Sequence, residues 1–122
     1  MEQIPLFERL GGRDGVRRLS ETIVDNHFAN PTVATRFANA SKGRDELVDG
    51  VTEFFCTGLS GVPTYHGPEV PVVHTGMNID EAEFVAVLDD ALAAMRSLDI
   101  GEQEQGEVLA VLYSMKGDVV RL

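Results

Sequence analysis

The chain contains no tryptophan, a single cysteine (Cys56), and only two lysines, Lys42 and Lys116, among ten basic residues. One thiol cannot close an internal disulfide, so a packed core has to hold the fold, and a reducing compartment suits it. No run approaches the roughly 18 apolar residues of a membrane-spanning helix. The opening Met1-Glu2-Gln3-Ile4-Pro5 lacks a basic segment followed by an apolar one, so no secretory signal and a cytoplasmic location are expected. Sustained strand alternation, internal repeats, a phosphate-cradling glycine loop and a Ser-His-Asp order are also missing, which removes phosphoryl transfer and hydrolysis from the candidate chemistries. Positive charge is scarce: the net charge is −10. Nucleic acid and anionic membrane would be repelled by such a surface and are not expected partners. Twenty acids facing ten bases, mostly arginine, resemble the surface style of proteins from high-salt cytoplasm, where screening makes excess charge tolerable.

What is present is enough for a small core. The chain has 122 residues, 43% of them hydrophobic, which predicts a single domain over 1–122. Leu6 to Leu10 makes one or two helical turns, ended by Gly11-Gly12, a pair that permits a sharp turn and a close helix approach. From Arg13 to about Phe28, apolar Val16, Leu19, Ile23 and Val24 recur at steps of three and four, an amphipathic helix that Asn30-Pro31 ends. Thr32 to Phe37 allows only a turn or two. A helix from about Arg44 to Leu59 carries Leu47, Val48, Val51, Phe54, Phe55 and Leu59 on one wide stripe, which meets either two neighbouring helices or a flat ligand. Asp80-Glu81-Ala82-Glu83 is a capping-box pattern, and Phe84, Val85, Leu88, Leu92 and Met95 come after it at helical spacing. Asp99-Ile100-Gly101 breaks the chain before a last helix that uses Val108, Leu109, Leu112, Met115 and Val119. The fold class is all-α: two helix pairs, 13–28 with 44–59 and the last two with each other, leaving a gap between them.

Between the third helix and the capping box runs Tyr65-His66-Gly67-Pro68-Glu69-Val70-Pro71-Val72-Val73-His74-Thr75-Gly76-Met77. Prolines stiffen the approach to His74, and Gly76 breaks any helical turn that carries it. A loop this long in so small a domain is more often functional than decorative. Held at a fixed angle, a neutral imidazole suits ligation of one metal atom; the alternative is a satisfied core histidine. His66 and His27 read as a loop residue and a helix-edge residue, and Cys56 as packing.

Taken together, these elements resemble a truncated haemoglobin of the two-over-two globin group, most similar to its group I, from Leu6 to about Val120. Leu6-Phe7-Glu8-Arg9-Leu10-Gly11-Gly12 is similar to the family's opening, and Ala29-Asn30-Pro31 with Phe37 to the turn leading to an aromatic on the haem. Phe54-Phe55 resembles a distal aromatic pair. Ser60-Gly61 and Tyr65-His66-Gly67 resemble its glycine-bearing loop, and His74, ten residues before Phe84, its proximal histidine. The resemblance implies a globin-like two-over-two helical sandwich binding haem b, with His74 as the axial iron ligand. It implies a pocket lined by Phe37, Leu47, Val51, Phe54, Phe55, Val70, Val73, Ile79, Phe84 and Val87, with Tyr65 near a propionate.

The pattern departs from the family on the gas side. Where relatives often carry Tyr this chain has Val24, preceded by Ile23; where they often carry Gln it has Val51; Leu47 is apolar too. The distal pocket of Ile23, Val24, Leu47 and Val51 thus lacks the usual donors, unless Thr52 or His27 turns inward. Glu46 and Val48 stand where relatives often carry bases near the propionates, leaving Lys42 and Arg44 as the nearest substitutes. The implied function is reversible binding of a diatomic gas: oxygen, carbon monoxide or nitric oxide. Two alternatives are a nitric oxide dioxygenase or peroxidase-like enzyme needing a separate reductase, and a haem-free signalling module.

Overall fold

The computed structural model describes residues 5–38, 43–60, 79–118 and 120. Among these residues six α-helices succeed one another: α1 Leu6–Arg9, α2 Gly12–Ala29, α3 Ala34–Ala38, α4 Arg44–Ser60, α5 Glu81–Ser97 and α6 Glu102–Ser114, with a 3₁₀ turn at Lys116–Asp118. Among the described residues there is no strand beyond one isolated bridge between Ile79 and Val120. Helix α2 packs on α4, α5 packs on α6, and α2 also packs on α5. These are the two helix pairs expected from the apolar spacing, the second and fourth helices together and the last two together.

Local chemistry sets the boundaries. Gly11 and Gly12 both adopt positive φ, 98° and 67°, so the chain reverses between α1 and α2 as the glycine pair implies. The close approach itself is made by a third glycine. A side-chain carbon on Gly15 would lie 1.9 Å from the carbonyl oxygen of Leu10, a backbone atom that cannot swing aside. Gly15→Ala is therefore expected to cost about 3 kcal/mol through forced displacement of α1, measured as a lowered urea midpoint with an unaltered slope. The capping box forms in full: Asp80 accepts from the Glu83 amide at 2.7 Å, and the Glu83 carboxylate accepts from the Asp80 amide at 3.2 Å. The last helix is shorter than the apolar spacing suggests. It ends at Ser114 with Met115 as cap, and the chain tightens into the 3₁₀ turn before Val119; Gly117 and Asp118, poor helix formers, stand in the way of another turn.

Arginines tie separate elements together; Arg13 and Arg17 of α2 pair with Glu53 and Asp49 of α4, and three others make forked contacts. Arg9 forks onto Glu107 and also reaches Glu104, joining α1 to α6 with contacts of 3.0 Å to each. Arg36 on α3 holds Glu83 on α5. Arg44 at the start of α4 holds both oxygens of Asp25 on α2, at 2.6 and 3.0 Å. These pairs place part of the acidic surface under local compensation, and all three use the planar fork that lysine lacks.

The main core gathers at one end of the long helices: Val16, Leu19 and Ile23 from α2, Phe55 and Cys56 from α4, Ala91, Ala94 and Met95 from α5, Val108 from α6, and Leu10 ahead of them. Cys56 is packing, as its apolar surroundings suggested. No helix among the described residues is long and apolar enough to cross a membrane.

Candidate functional site

A second set of buried side chains lies outside this core. Val24, Val33, Val48, Ile79 and Phe84 are each at most 8% exposed, yet none belongs to the main cluster. They come from the late turns of α2, the early turns of α4, the beginning of α5 and the segments leading into α3 and α5. The same helices thus bury apolar side chains both in the main cluster and, at other turns, outside it. Partly buried Leu6, Phe7, Val51, Leu59, Leu98, Ile100, Leu109 and Leu112 pack against the first set; the second is drawn from three helices and two connecting segments.

The residues singled out from the sequence divide between these two sets. Ile23 and Phe55 sit in the main core, with Val51 packed against it. Val24, Ile79 and Phe84 belong to the second set. Leu47, Phe54 and Val87 are half-buried, and Phe54 meets Phe55 edge-on with ring centres 6.2 Å apart. Phe84 also meets the ring of Tyr113 on α6, at 6.4 Å. Phe37 falls in α3, its side chain lying outside what the structure describes. Tyr65, Val70, Val73 and His74 lie outside the described residues, as does His66.

Buried polar groups along α2 and α4 are already engaged. The Thr52 hydroxyl, 2% exposed, donates to the Val48 carbonyl at 2.7 Å, the bond back along the helix that a buried threonine commonly makes. Ser20, fully buried on α2, does the same to Val16 at 2.8 Å. Arg44 is bound to Asp25 on the exposed flank, while Glu46 is exposed and Val48 wholly buried. Val48 is consequently a wall residue and not a rim position.

His27 corrects the sequence reading. It is not a helix-edge residue: it is 5% exposed and its Nδ1 lies 2.7 Å from Oδ2 of Asp90, which is itself 9% exposed. Asn30 donates to the other Asp90 oxygen at 3.0 Å, and Asn26 to the Asp90 backbone carbonyl, also at 3.0 Å. The cluster fastens the last turns of α2 to the middle of α5. Burial pushes the imidazole below its ordinary value near 6.5, and the Asp90 carboxylate opposes that only in part. The sequence did hold a clue: His27 and Asn30 share the helical face of Ile23, and Asp90 interrupts an otherwise apolar stretch of α5. A pair separated by sixty-three residues in sequence leaves no mark in local periodicity.

Comparison with known proteins points the same way. Residues 5–121 match the model of the bacterial-like globin family. The chain belongs to that family. It is 26% identical over 118 residues to a group 1 truncated hemoglobin of Tetrahymena thermophila, covering 96% of this chain and 95% of that protein. Its fold superposes on the Fe(III) form of the truncated hemoglobin of Tetrahymena pyriformis with a TM-score of 0.90 at 22% identity, covering 98% and 100% of the two chains. It also superposes on the 2/2 hemoglobin of a Synechococcus species, solved in the cyanomet state with covalently attached heme, with a TM-score of 0.87 at 18% identity over 96% and 98% of the chains. This globin is accordingly of the truncated, two-over-two type, in a family of haem proteins that bind diatomic gases.

Proposed function

We propose that this globin binds haem b through His74 and reversibly binds oxygen or another diatomic gas on an apolar distal side. The observation that carries the reading is the second set of buried apolar side chains. A porphyrin presents two hydrocarbon faces and asks its protein for apolar walls and one imidazole nitrogen. Val24, Val48, Ile79 and Phe84 are walls of that kind, and His74 is the nitrogen that the family pattern assigns. Phe37, Leu47, Val51, Phe54, Tyr65, Val70, Val73 and Val87 complete the lining in this reading, with Ile23 behind Val24. Haem, when bound, supplies the iron that holds the gas.

The chain's own residues then decide which gas is kept and for how long. Oxygen gains partial negative charge on binding whereas carbon monoxide does not, so a nearby donor favours oxygen. Here the hydroxyl of Thr52 is committed to Val48, and the Nδ1 edge of His27 is committed to Asp90. Apolar Val24, Leu47 and Val51 offer nothing in their place. Oxygen is expected to leave quickly and in a single phase, a property suited to exchange with surroundings. A nitric oxide dioxygenase needs a persistent oxygen complex and electrons from a separate reductase, and ranks behind gas binding for that reason.

Absorption spectra of the purified protein in its ferric, ferrous and carbon monoxide states test the haem, and stopped-flow oxygen release tests the pocket. A haem spectrum with fast monophasic release is the expected result. A colourless preparation that takes up no added hemin would put the haem-free signalling module first, and slow release would restore the dioxygenase.

A further inference from the structure

The outer face of the α5–α6 hairpin is apolar and open. The chain reverses over 98–101, so α6 runs back along α5, and the two helices leave a groove between them. Val85, Leu88 and Leu92 line one side, Gly106, Leu109 and Tyr113 the other. Among the described residues, the large hydrophobic side chains most open to solvent are Val85 at 52% and Tyr113 at 60%, and both stand on this groove. Apolar exposure gathered on one face marks a contact surface, whereas singly scattered apolar residues do not. Glycine weakens a helix interior relative to alanine, yet a side-chain carbon on Gly106 would meet no neighbouring atom within 4 Å. With Ala110 one turn further on, it leaves room for a second backbone to come close.

Charge decides what that second body is. Most ions around the groove are compensated within the chain: Lys116 pairs with Glu81 at 3.7 Å, Arg9 holds Glu104 and Glu107, and Asp90 lies against His27. Asp89 and Arg96 are exposed and have no ion-pair partner among the described residues. They stand two helical turns apart, on the stripe of α5 that carries Val85 and Leu92. An antiparallel copy of α5 laid along this stripe, with a two-fold axis between Leu92 and Ala93, brings Asp89 of each chain opposite Arg96 of the other. One acid and one base equally spaced about an apolar centre suit a self-complementary contact, in which every pairing is returned. A cationic partner would call for an excess of acids, and the stripe carries one charge of each sign.

We propose that this globin pairs with a second copy of itself through the α5–α6 face, α5 against α5, with reciprocal Asp89–Arg96 ion pairs flanking Leu92. Gly106 and Ala110 admit the close approach. Each copy brings a net charge of −10, so general repulsion opposes the encounter at low ionic strength and salt should strengthen the pairing. The proposal does not draw on the haem reading, and failure of either leaves the other standing.

Sedimentation of the purified protein over a concentration series, at low and high salt, reads the outcome directly. The mass is expected to rise from one chain to two, at lower concentration in high salt. D89R alone sets arginine against arginine at both ends of the contact, and R96D alone sets acid against acid; each should weaken pairing at least about tenfold. D89R combined with R96D exchanges the signs and should restore it. Gly106→Leu leaves the packing of its own chain intact, since the new side chain enters open space; it should keep its helical circular dichroism and sediment as a single chain. A single-chain mass at every concentration overturns the proposal, and so does a pairing that salt dissolves. Pairing that survives D89R or G106L, or that the double exchange fails to restore, overturns it too. A chain that stays single yet binds a lysine-rich amphipathic helical peptide would hand the groove to a cationic partner and likewise overturn the second copy.

Discussion

Replacing His74 by alanine is expected to strip the protein of tightly held haem. Loss of a partner one shell out from a metal commonly lowers affinity by about 10–100-fold; loss of the ligand itself should exceed that. The measurement is hemin transfer from the purified protein to an excess of an apo-acceptor, monitored by the visible spectrum. His74→Ala should lose hemin at least about a hundredfold faster than the natural chain, with circular dichroism recorded alongside to follow the helices. Added imidazole should restore part of the spectrum by replacing the missing nitrogen. Hemin held equally well without His74 would contradict the assignment of the axial ligand and return that histidine to its packing role. Repeating the transfer at low and high salt probes a second expectation. Arg44 is occupied by Asp25 and Glu46 is exposed, so burial and the axial bond should carry most of the retention and salt should alter it little.

The second large effect is expected from Val24→Tyr. Val24 is 1% exposed on the late part of α2, outside the main core cluster. A hydroxyl delivered there restores a donor to a side that has none to spare. One hydrogen bond to a charged acceptor contributes about 1.5–3 kcal/mol, or about one to two decades in an equilibrium constant. Oxygen release should slow by about 10–100-fold, while carbon monoxide, a poorer acceptor, should change far less. The ratio of the two effects distinguishes a hydrogen bond from a merely narrowed exit, which would slow both gases. Tyrosine is larger than valine, and overpacking commonly costs about 1–3 kcal/mol, so the urea midpoint should be recorded alongside. Unchanged oxygen release in a folded, haem-loaded V24Y would show that position 24 does not face the gas.

Much of this architecture can be read without coordinates because its causes are local. The αR-breaking Asn30-Pro31, the glycine pair at positions 11 and 12, and the Asp80–Glu83 capping box act over a few residues, and each structural boundary falls within a residue or two of its signal. The end of α6 is the exception: apolar spacing continued to Val119, but the backbone preferences of Gly117 and Asp118 overrode it. His74 and the proline-spaced loop, read from residue type at a given place in a recognised order, lie outside the described residues.

Other features depend on atoms far apart in the chain. That Gly15, and not the double glycine, is the point of closest helix approach results from where the Leu10 carbonyl falls in space. That Ile23 and Phe55 serve the main core while neighbouring Val24 faces elsewhere is decided by how three helices cross, which a stripe of apolar letters cannot convey. The bond between His27 and Asp90 is the sharpest case. The sequence by itself determined a helical globin, because helix periods, caps and residue types are properties of short segments. Only the tertiary structure decided that His27 is buried against Asp90, because a carboxylate sixty-three positions away has to arrive at bonding distance before the two can pair.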